Sequence, residues 1–375
     1  MQESITWVGI DAHKKSLQFA VLKSGKWREW EIANESKAIR RVARKLVKQA
    51  SGEVRCCYEA GPTGYALKRE MEAAAPELIC EVIAPSLIPV KSGERVKTDR
   101  RDARKLATYL EAGLLTEVHP PSEQDESARD LTRCRRALKG DLMRARHRLS
   151  KLLLRRGVHY TAGKRAWTAM HHKWLRALRF EHHVDQVVFD QYLLALDQLT
   201  ERLEHIDSEL KALSESDAYR EAVGWLRCFR GIDTVAAMTI LTEIHDFRRF
   251  DSPRQLMSYL GLTPSEHSSG QTKRQGGITK AGNTHARRML VEVCWQYRHR
   301  PAVGVALRTR REGQPGWAIA TADKAQRRLC SRYQRLVARG KPPQKAAIAV
   351  ARELVGFLWS VMQQGDQLRQ SATAA

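Results

Sequence analysis

Asp11, Glu59, Asp99 and Asp102 are the residues whose types and spacing could do chemistry together in this chain. Asp11 closes an apolar run, Ile5 to Ile10, that reads as a buried strand, and Leu17 to Leu22 reads as its hairpin partner. Glu59 ends a third strand-like run, Val54 to Tyr58, just before the Gly61-Pro62 breaker. Asp99 and Asp102 are three apart, so a helix beginning there puts both on one face. Carboxylates drawn from two strand ends and a helix start would gather about four negative charges, which two divalent cations neutralise. That arrangement serves in-line phosphoryl chemistry, with metal ions about 4 Å apart. Oxygen ligands with no accompanying His or Cys favour magnesium, with manganese as its substitute, over zinc. Singly, each acid also reads as a turn or cap residue, and the Asp99/Asp102 pair as a screen for Arg100, Arg101 and Arg104.

The elements that must position these acids fill residues 1–112. Strands are expected near 5–11, 17–22, 26–32, 54–59 and 79–83, and helices near 35–50, 64–74 and 99–112. The first connections are hairpin-short, which implies an α/β domain with an antiparallel start. Residues 113–123, with Pro120-Pro121, read as a linker. A helical region, 124–216, and a mainly helical region, 217–375, follow.

Charge narrows the partner. There are 65 Lys and Arg against 42 Asp and Glu, a formal net charge of +23, which suits a polyanion such as nucleic acid. A hydrophobic share of 42% excludes a disordered basic tail. No apolar stretch reads as a membrane span, and no signal peptide precedes the first strand, so a membrane partner is not expected. Seven scattered cysteines without a CxxC pair suggest a reducing cytoplasm and no structural zinc. His171-His172 and His182-His183 lack the flanking carboxylates or cysteines of a metal site. Gly157 to Arg165 looks like a phosphate loop, but has one residue too many between its glycines and no Ser or Thr after Lys164.

Between Leu131 and Arg156 there are ten Lys or Arg against a single acid, Asp141. Leu131, Cys134, Leu138, Leu142, Ala145, Leu149 and Leu152 keep helical spacing through it. A second arm places Phe189, Tyr192, Leu196, Leu199, Leu203, Ile206, Leu210 and Leu213 three and four apart, a coiled-coil seam. The arms can pair as an antiparallel hairpin, dimerise, or both. Arg133, Arg136, Lys139, Arg144 and Arg148 are the candidate nucleic-acid contacts of the basic arm.

Farther on, Leu226 to Ile244 reads as a helix end, a tight Gly231-Ile232-Asp233 turn and a new apolar helix, a helix-hairpin-helix-like unit whose second N-terminus could meet a DNA phosphate. A polar loop then carries Ser268, Ser269, Lys273, Arg274 and Lys280 ahead of a helix capped by Asn283, with Arg287 in its first turns. Such a loop could bind a phosphodiester passively, or attack it through a serine hydroxyl with basic groups offsetting the developing charge. Two further helices are expected, about 319–338 and 343–364.

The segments GIDAHKKS, YEAGPTGY and KTDRRDARKLA, followed downstream by GLTPSEHSSG and GGITKAGN, resemble the DEDD transposases of the insertion-sequence 110 family. Their order and spacing are similar to its 1111 subgroup or a near relative, and the resemblance spans essentially the whole chain. It implies a RuvC-like, ribonuclease-H-like N-terminal domain binding Mg2+ through Asp11, Glu59, Asp99 and Asp102. It implies a C-terminal transposase domain with a serine nucleophile, which falls on Ser269 by its place before Gly270, with Ser268 as the adjacent competitor. It also implies a structured non-coding guide RNA (a bridge RNA) that pairs with donor and target DNA. Subunits would assemble as homodimers or homotetramers, the acid site of one completing the serine site of another, in the bacterial cytoplasm and on the nucleoid when bound to DNA. The expected function is therefore RNA-guided DNA recombination through a phosphoserine. The alternative is a metal-dependent nuclease or Holliday-junction-type resolvase without serine chemistry; a non-enzymatic nucleic-acid-binding protein is the third reading.

Overall fold

The chain divides into two units, Met1–Pro121 and Ser122–Ala375; the computed structural model describes residues 5–89, 98–266 and 274–374. In the first unit five strands form one sheet in the order β3-β2-β1-β4-β5: β1 (Thr6–Ala12), β2 (Ser16–Lys23), β3 (Lys26–Ala33), β4 (Val54–Glu59) and β5 (Leu78–Ile83). The hairpin-linked β1, β2 and β3 are antiparallel, as their short connections require, and β4 and β5 then add parallel to β1.

Period-two alternation divides the central strands between two layers. Val8, Ile10, Cys56 and Tyr58 pack under α1 (Ser36–Gln49) and α2 (Ala66–Ala74), with Ile39, Leu46, Leu67 and Met71. Trp7, Cys57 and Ile83 turn to the other face, against Leu106 and Leu110 of α3 (Asp99–Glu111). Gly9 also faces α3. A Cβ there would fall inside the carbonyl oxygen of Ala103 and 2.5 Å from the amide nitrogen of Ala107. The missing side chain lets the helix backbone rest directly on β1.

The second unit begins with an antiparallel helical hairpin of α4 (Glu123–Arg155) and α6 (His183–Ser214), with α5 (Ala169–Ala177) between them. Ion pairs from Arg135 to Asp207 and from Arg156 to Asp185 fix the antiparallel register. The two seam lines of α6 are used unequally. Phe189, Leu196, Leu203 and Leu210, seven apart, are buried, while Tyr192, Leu199, Ile206 and Leu213 are half-buried. On α4 the apolar register departs from expectation at its start. Cys134 is exposed and Thr132 is buried in its stead. Its hydroxyl lies 3.4 Å from that of Thr242, because this end of α4 packs on the helix Thr234–Ile244.

The core of this unit gathers α7 (Arg220–Arg227), α8 (Thr234–Ile244), α9 (Pro253–Tyr259), α10 (Thr284–Cys294), α12 (Gly316–Ala338) and α13 (Pro343–Ala374), with α11 (Val305–Arg311) beside α7. Gly231 takes a positive φ of 84° in the α7–α8 turn. Two expectations need correction. The polar loop is flanked by a short antiparallel hairpin, β6 (Pro264–Glu266) with β7 (Gln275–Ile278). And α13 runs ten residues beyond its expected end; among the described residues it is a helix long and apolar enough to cross a membrane by length and composition. Its apolarity has an internal cause, since Ala347, Val350, Leu354, Leu358 and Val361 fill the core.

Candidate functional site

Asp11 is the penultimate residue of β1 and Glu59 the last of β4. The parallel register pairs Ile10 with Tyr58, so Asp11 and Glu59 are the next step on adjacent strands. Both continue the Gly9/Cys57 face, the one covered by α3. Asp99 and Asp102 occupy the first turn of α3, whose N-terminus is capped by Thr98 accepting from the amide of Arg101 at 3.3 Å. Acids there also complement the helix dipole. Glu29 of β3 anchors the helix by pairing with Arg100 and Arg104, and the Arg104 guanidinium lies 5.2 Å from the Trp27 ring. Thus Glu29, which the sequence did not single out, pairs with two of the three arginines that the Asp99/Asp102 pair was expected to screen.

Of the four acids, Asp11 and Asp99 come together, with a partner the sequence did not single out, and Glu59 and Asp102 are not part of that group among the described residues. His13 Nε2 lies 3.3 Å from Asp11 Oδ2 and 3.4 Å from Asp99 Oδ2. One ligand atom from each of Asp11, His13 and Asp99 falls within 4.8 Å of the others. The expectation of an all-oxygen donor set is therefore corrected: an imidazole accompanies the acids. The signal was present, since His13 is two residues beyond Asp11 and period two carries it to the same face. Two carboxylates, one imidazole and an adjacent strand-end Glu59 fit a divalent cation. Imidazole broadens the range of acceptable ions beyond the hardest.

The second candidate surface lies within the helical unit. A groove of about 770 Å³ runs between α4 and the α8/α10 pair, lined by Arg135, Arg136, Lys139, Arg144 and Arg288. Cations along one groove suit a phosphodiester backbone. Of the expected nucleic-acid contacts, Arg136 and Lys139 are exposed on it, and Arg144 reaches Asp141 beside it. Arg148 is exposed farther along α4, and Arg274 and Lys280 are exposed at the ends of β7. Two of the expected contacts also have partners inside the fold. Arg133, 40% exposed and lining the groove, holds the buried Glu243 through two hydrogen bonds of 2.8 and 2.9 Å. Arg287 donates to the carbonyls of Leu260 and Ala281 at 2.9 and 2.7 Å, tying α10 to the turn before it. Ser268, Ser269 and Lys273 lie outside the described residues. The N-terminus of α8 is occupied by its own cap, Asp233, which accepts from Ala236 N at 2.8 Å. Asn283 caps α10 as expected, accepting from Ala286 N at 3.0 Å.

Glu243 is the hub of this region. Its side chain is 0% exposed, and Asn283 donates to its carboxylate at 2.8 Å and to its backbone carbonyl at 3.0 Å. Burial pushes its pKa up, but the hydrogen bonds from Arg133 and Asn283 outweigh that and hold it below the ordinary carboxylate range. His285, 3.9 Å away, is held below its usual value by burial and by the neighbouring Arg136, Arg133 and Arg288. Both groups bind protons more readily in the unfolded chain. Their contribution is therefore complete above about pH 6.5; the His285 share is lost first on acidification, the Glu243 share below about pH 4.3. Glu243→Gln should lower stability by about 2–3 kcal/mol, less than for a fully buried pair because Arg133 keeps part of its water. Thermal melts across this range should show a wild-type Tm that falls on acidification and a Glu243→Gln Tm that is low throughout and flatter. A wild-type Tm indifferent to acid would refute the assignment.

Comparison with known proteins identifies the family. A family profile for DEDD-type IS110 transposases, described as Transposase, matches residues 8–156, and one described as Transposase IS116/IS110/IS902 family matches residues 225–304. The chain is 42% identical over 364 residues to y4qE of Sinorhizobium fredii, a protein named as a transposase, covering 96% of this chain and 89% of that one. It is 36% identical over 336 residues to the transposase for insertion sequence element IS1533 of Leptospira borgpetersenii, covering 88% and 96%. A shorter match, 31% over 85 residues, reaches the transposase for insertion sequence element IS1111A of Coxiella burnetii, 23% of this chain and 22% of that one. The acids sit in the first matched segment and the polar loop in the second. The chain belongs to the IS110/IS116 family of insertion-sequence transposases.

Proposed function

We propose that this transposase is an RNA-guided recombinase of the 1111 subgroup, cutting and rejoining DNA through a phosphoserine with help from a divalent cation, magnesium first. The observation that carries the metal half of this reading is the convergence of Asp11, His13 and Asp99 on the α3 face of the sheet. Glu59 and Asp102 complete the acidic set by their places at the end of β4 and the start of α3. When bound, the cation supplies Lewis-acid polarisation of a phosphoryl oxygen.

Ser269 enters as nucleophile through its motif position before Gly270. Its hydroxyl oxygen bonds to phosphorus as the P–O3′ bond breaks, and the proton lost by the serine accounts for the one gained at the departing 3′ oxygen. The phosphodiester energy is conserved, so rejoining requires no nucleotide hydrolysis. Arg274 and Lys280, near the loop in sequence, offset developing charge. Arg136, Lys139, Arg144 and Arg288 neutralise backbone phosphates of donor DNA, target DNA or guide RNA. Such contacts read charge and shape, which is what a protein needs when base pairing supplies specificity. Assembly as dimers or tetramers is part of the same proposal.

A covalent-trapping assay tests it. The full chain, RNA transcribed from the flanking non-coding region, supercoiled donor and target DNA and magnesium are combined and resolved on a denaturing gel. A protein–DNA adduct is expected for wild type and absent for Ser269→Ala and Asp11→Asn. Cleavage without an adduct, indifferent to Ser269, would establish the nuclease reading in its place.

A further inference from the structure

The segment Gly157 to Arg165 and the paired histidines 171 and 172 have no part in the chemistry above, yet they meet at the far end of the α4–α6 hairpin. There Tyr160, His171 and Trp174 form a ring cluster, with centroids 4.7 Å apart for Tyr160–His171, 5.1 Å for Tyr160–Trp174 and 5.4 Å for His171–Trp174. Trp167 adds an edge contact to His171 at 5.0 Å, and the Arg146 guanidinium lies 5.1 Å from the Trp167 ring. Trp167 takes a left-handed φ of 65°, a conformation held by its surroundings. Beside the cluster is an open cavity of about 250 Å³, floored by Leu153 and Val158, walled by Tyr160, His171 and Trp174, and edged by Lys151.

Two of these side chains hold a buried polar atom without a hydrogen-bond partner among the described residues. His171 is 5% exposed, and its Nδ1 is buried without a hydrogen-bond partner among the described residues; the Tyr160 hydroxyl is in the same condition. Each such group costs free energy while it stays unpaired. Burial and the neighbouring His172 hold the His171 pKa below its usual value. Aromatic side chains beside a cationic rim are the chemistry that receives a splayed-out nucleobase and its phosphate.

We propose that this cavity receives a single unpaired nucleobase of the polynucleotide lying along α4. The proposal rests on the nucleic-acid reading of α4 given above. An unpaired base occurs in a structured RNA and in distorted DNA alike, so both are tested.

The full-length protein is titrated with a hairpin carrying one bulged 2-aminopurine and with its fully paired counterpart, each made as RNA and as DNA. The bulged hairpin should bind about tenfold more tightly, in line with the stacking of one base on aromatic side chains, and its 2-aminopurine emission should fall on binding. Ser150→Trp, an exposed α4 position at the cavity mouth, should abolish both the preference and the quenching; Trp174→Leu, which keeps an apolar wall and removes the ring, should do the same. Preference in either the RNA or the DNA series supports the proposal and identifies the source. Equal binding of bulged and paired hairpins with unchanged emission overturns it alone. Absence of binding to every hairpin overturns it together with the nucleic-acid reading of α4.

Discussion

Asp11→Asn is expected to lower DNA strand cleavage by at least about 10³-fold, a loss of about 4 kcal/mol in transition-state stabilisation, the scale of metal-assisted charge neutralisation. Asparagine keeps the size of the side chain and removes the charge, so the strand end and its neighbours survive while cation affinity falls. Asp11 is half-buried between His13 and the α3 start, and no other described carboxylate joins Asp99 and His13 within 4.8 Å. His13→Gln should cost less, because it removes one of several donors and leaves both carboxylates. Cleavage gels run against magnesium and manganese concentration give both comparisons. A variant at Asp11 that cuts at the wild-type rate and with the wild-type cation requirement would remove this centre from the reaction.

Gly9→Ala should be the most disruptive conservative change in the first unit. The new methyl has nowhere to go, since the atoms it meets are the backbone carbonyl of Ala103 and the backbone amide of Ala107, not the flexible end of a side chain. Overpacking a close-packed contact costs about 1–3 kcal/mol, and a backbone obstacle places this case at the upper end. The consequence reaches the site, because α3 carries Asp99 and Asp102 and is seated by this contact. Lifting α3 off β1 separates Asp99 from Asp11. We therefore expect a lower Tm together with cleavage reduced well beyond the loss of folded protein, measured as activity per folded molecule by thermal melting and gel assay on one preparation. A variant that melts as wild type and cuts as wild type would show that the helix tolerates displacement. The same logic explains the small residues opposite: Ala103 and Ala107 are both fully buried and leave room only for a glycine beneath them.

Much of the first unit was legible because its signals are local. The apolar runs at 5–10 and 17–22, the Gly61-Pro62 breaker and the DxxD helix start each sit within a few residues of the structure they specify. The helical hairpin was legible for the same reason, its heptads being repeated enough to survive local noise. His13 was passed over because the reading looked for metal-ligand spacing along the chain, whereas its partner Asp99 comes from a helix 86 positions away and is brought near by packing. The ion-pair partner of Arg133 was not legible for a related reason. In a run of ten cations, nothing local marks the one whose counter-ion, Glu243, arrives from a buried helix 110 residues later. Cys134 and Thr132 exchanged places because the start of α4 packs on α8, a contact that the helical period alone does not specify.

Thus the sequence by itself determined the order and type of the elements in the first unit, the acids at strand ends and the helix start, and the basic arm, all properties of neighbouring residues and the backbone period. The tertiary structure decided which cations face a groove and which are consumed by internal ion pairs, and which acids share a face. It also decided that an imidazole stands between two of them. Those outcomes depend on contacts between segments far apart in the chain, where close packing and the cost of an unpaired buried charge leave few arrangements open.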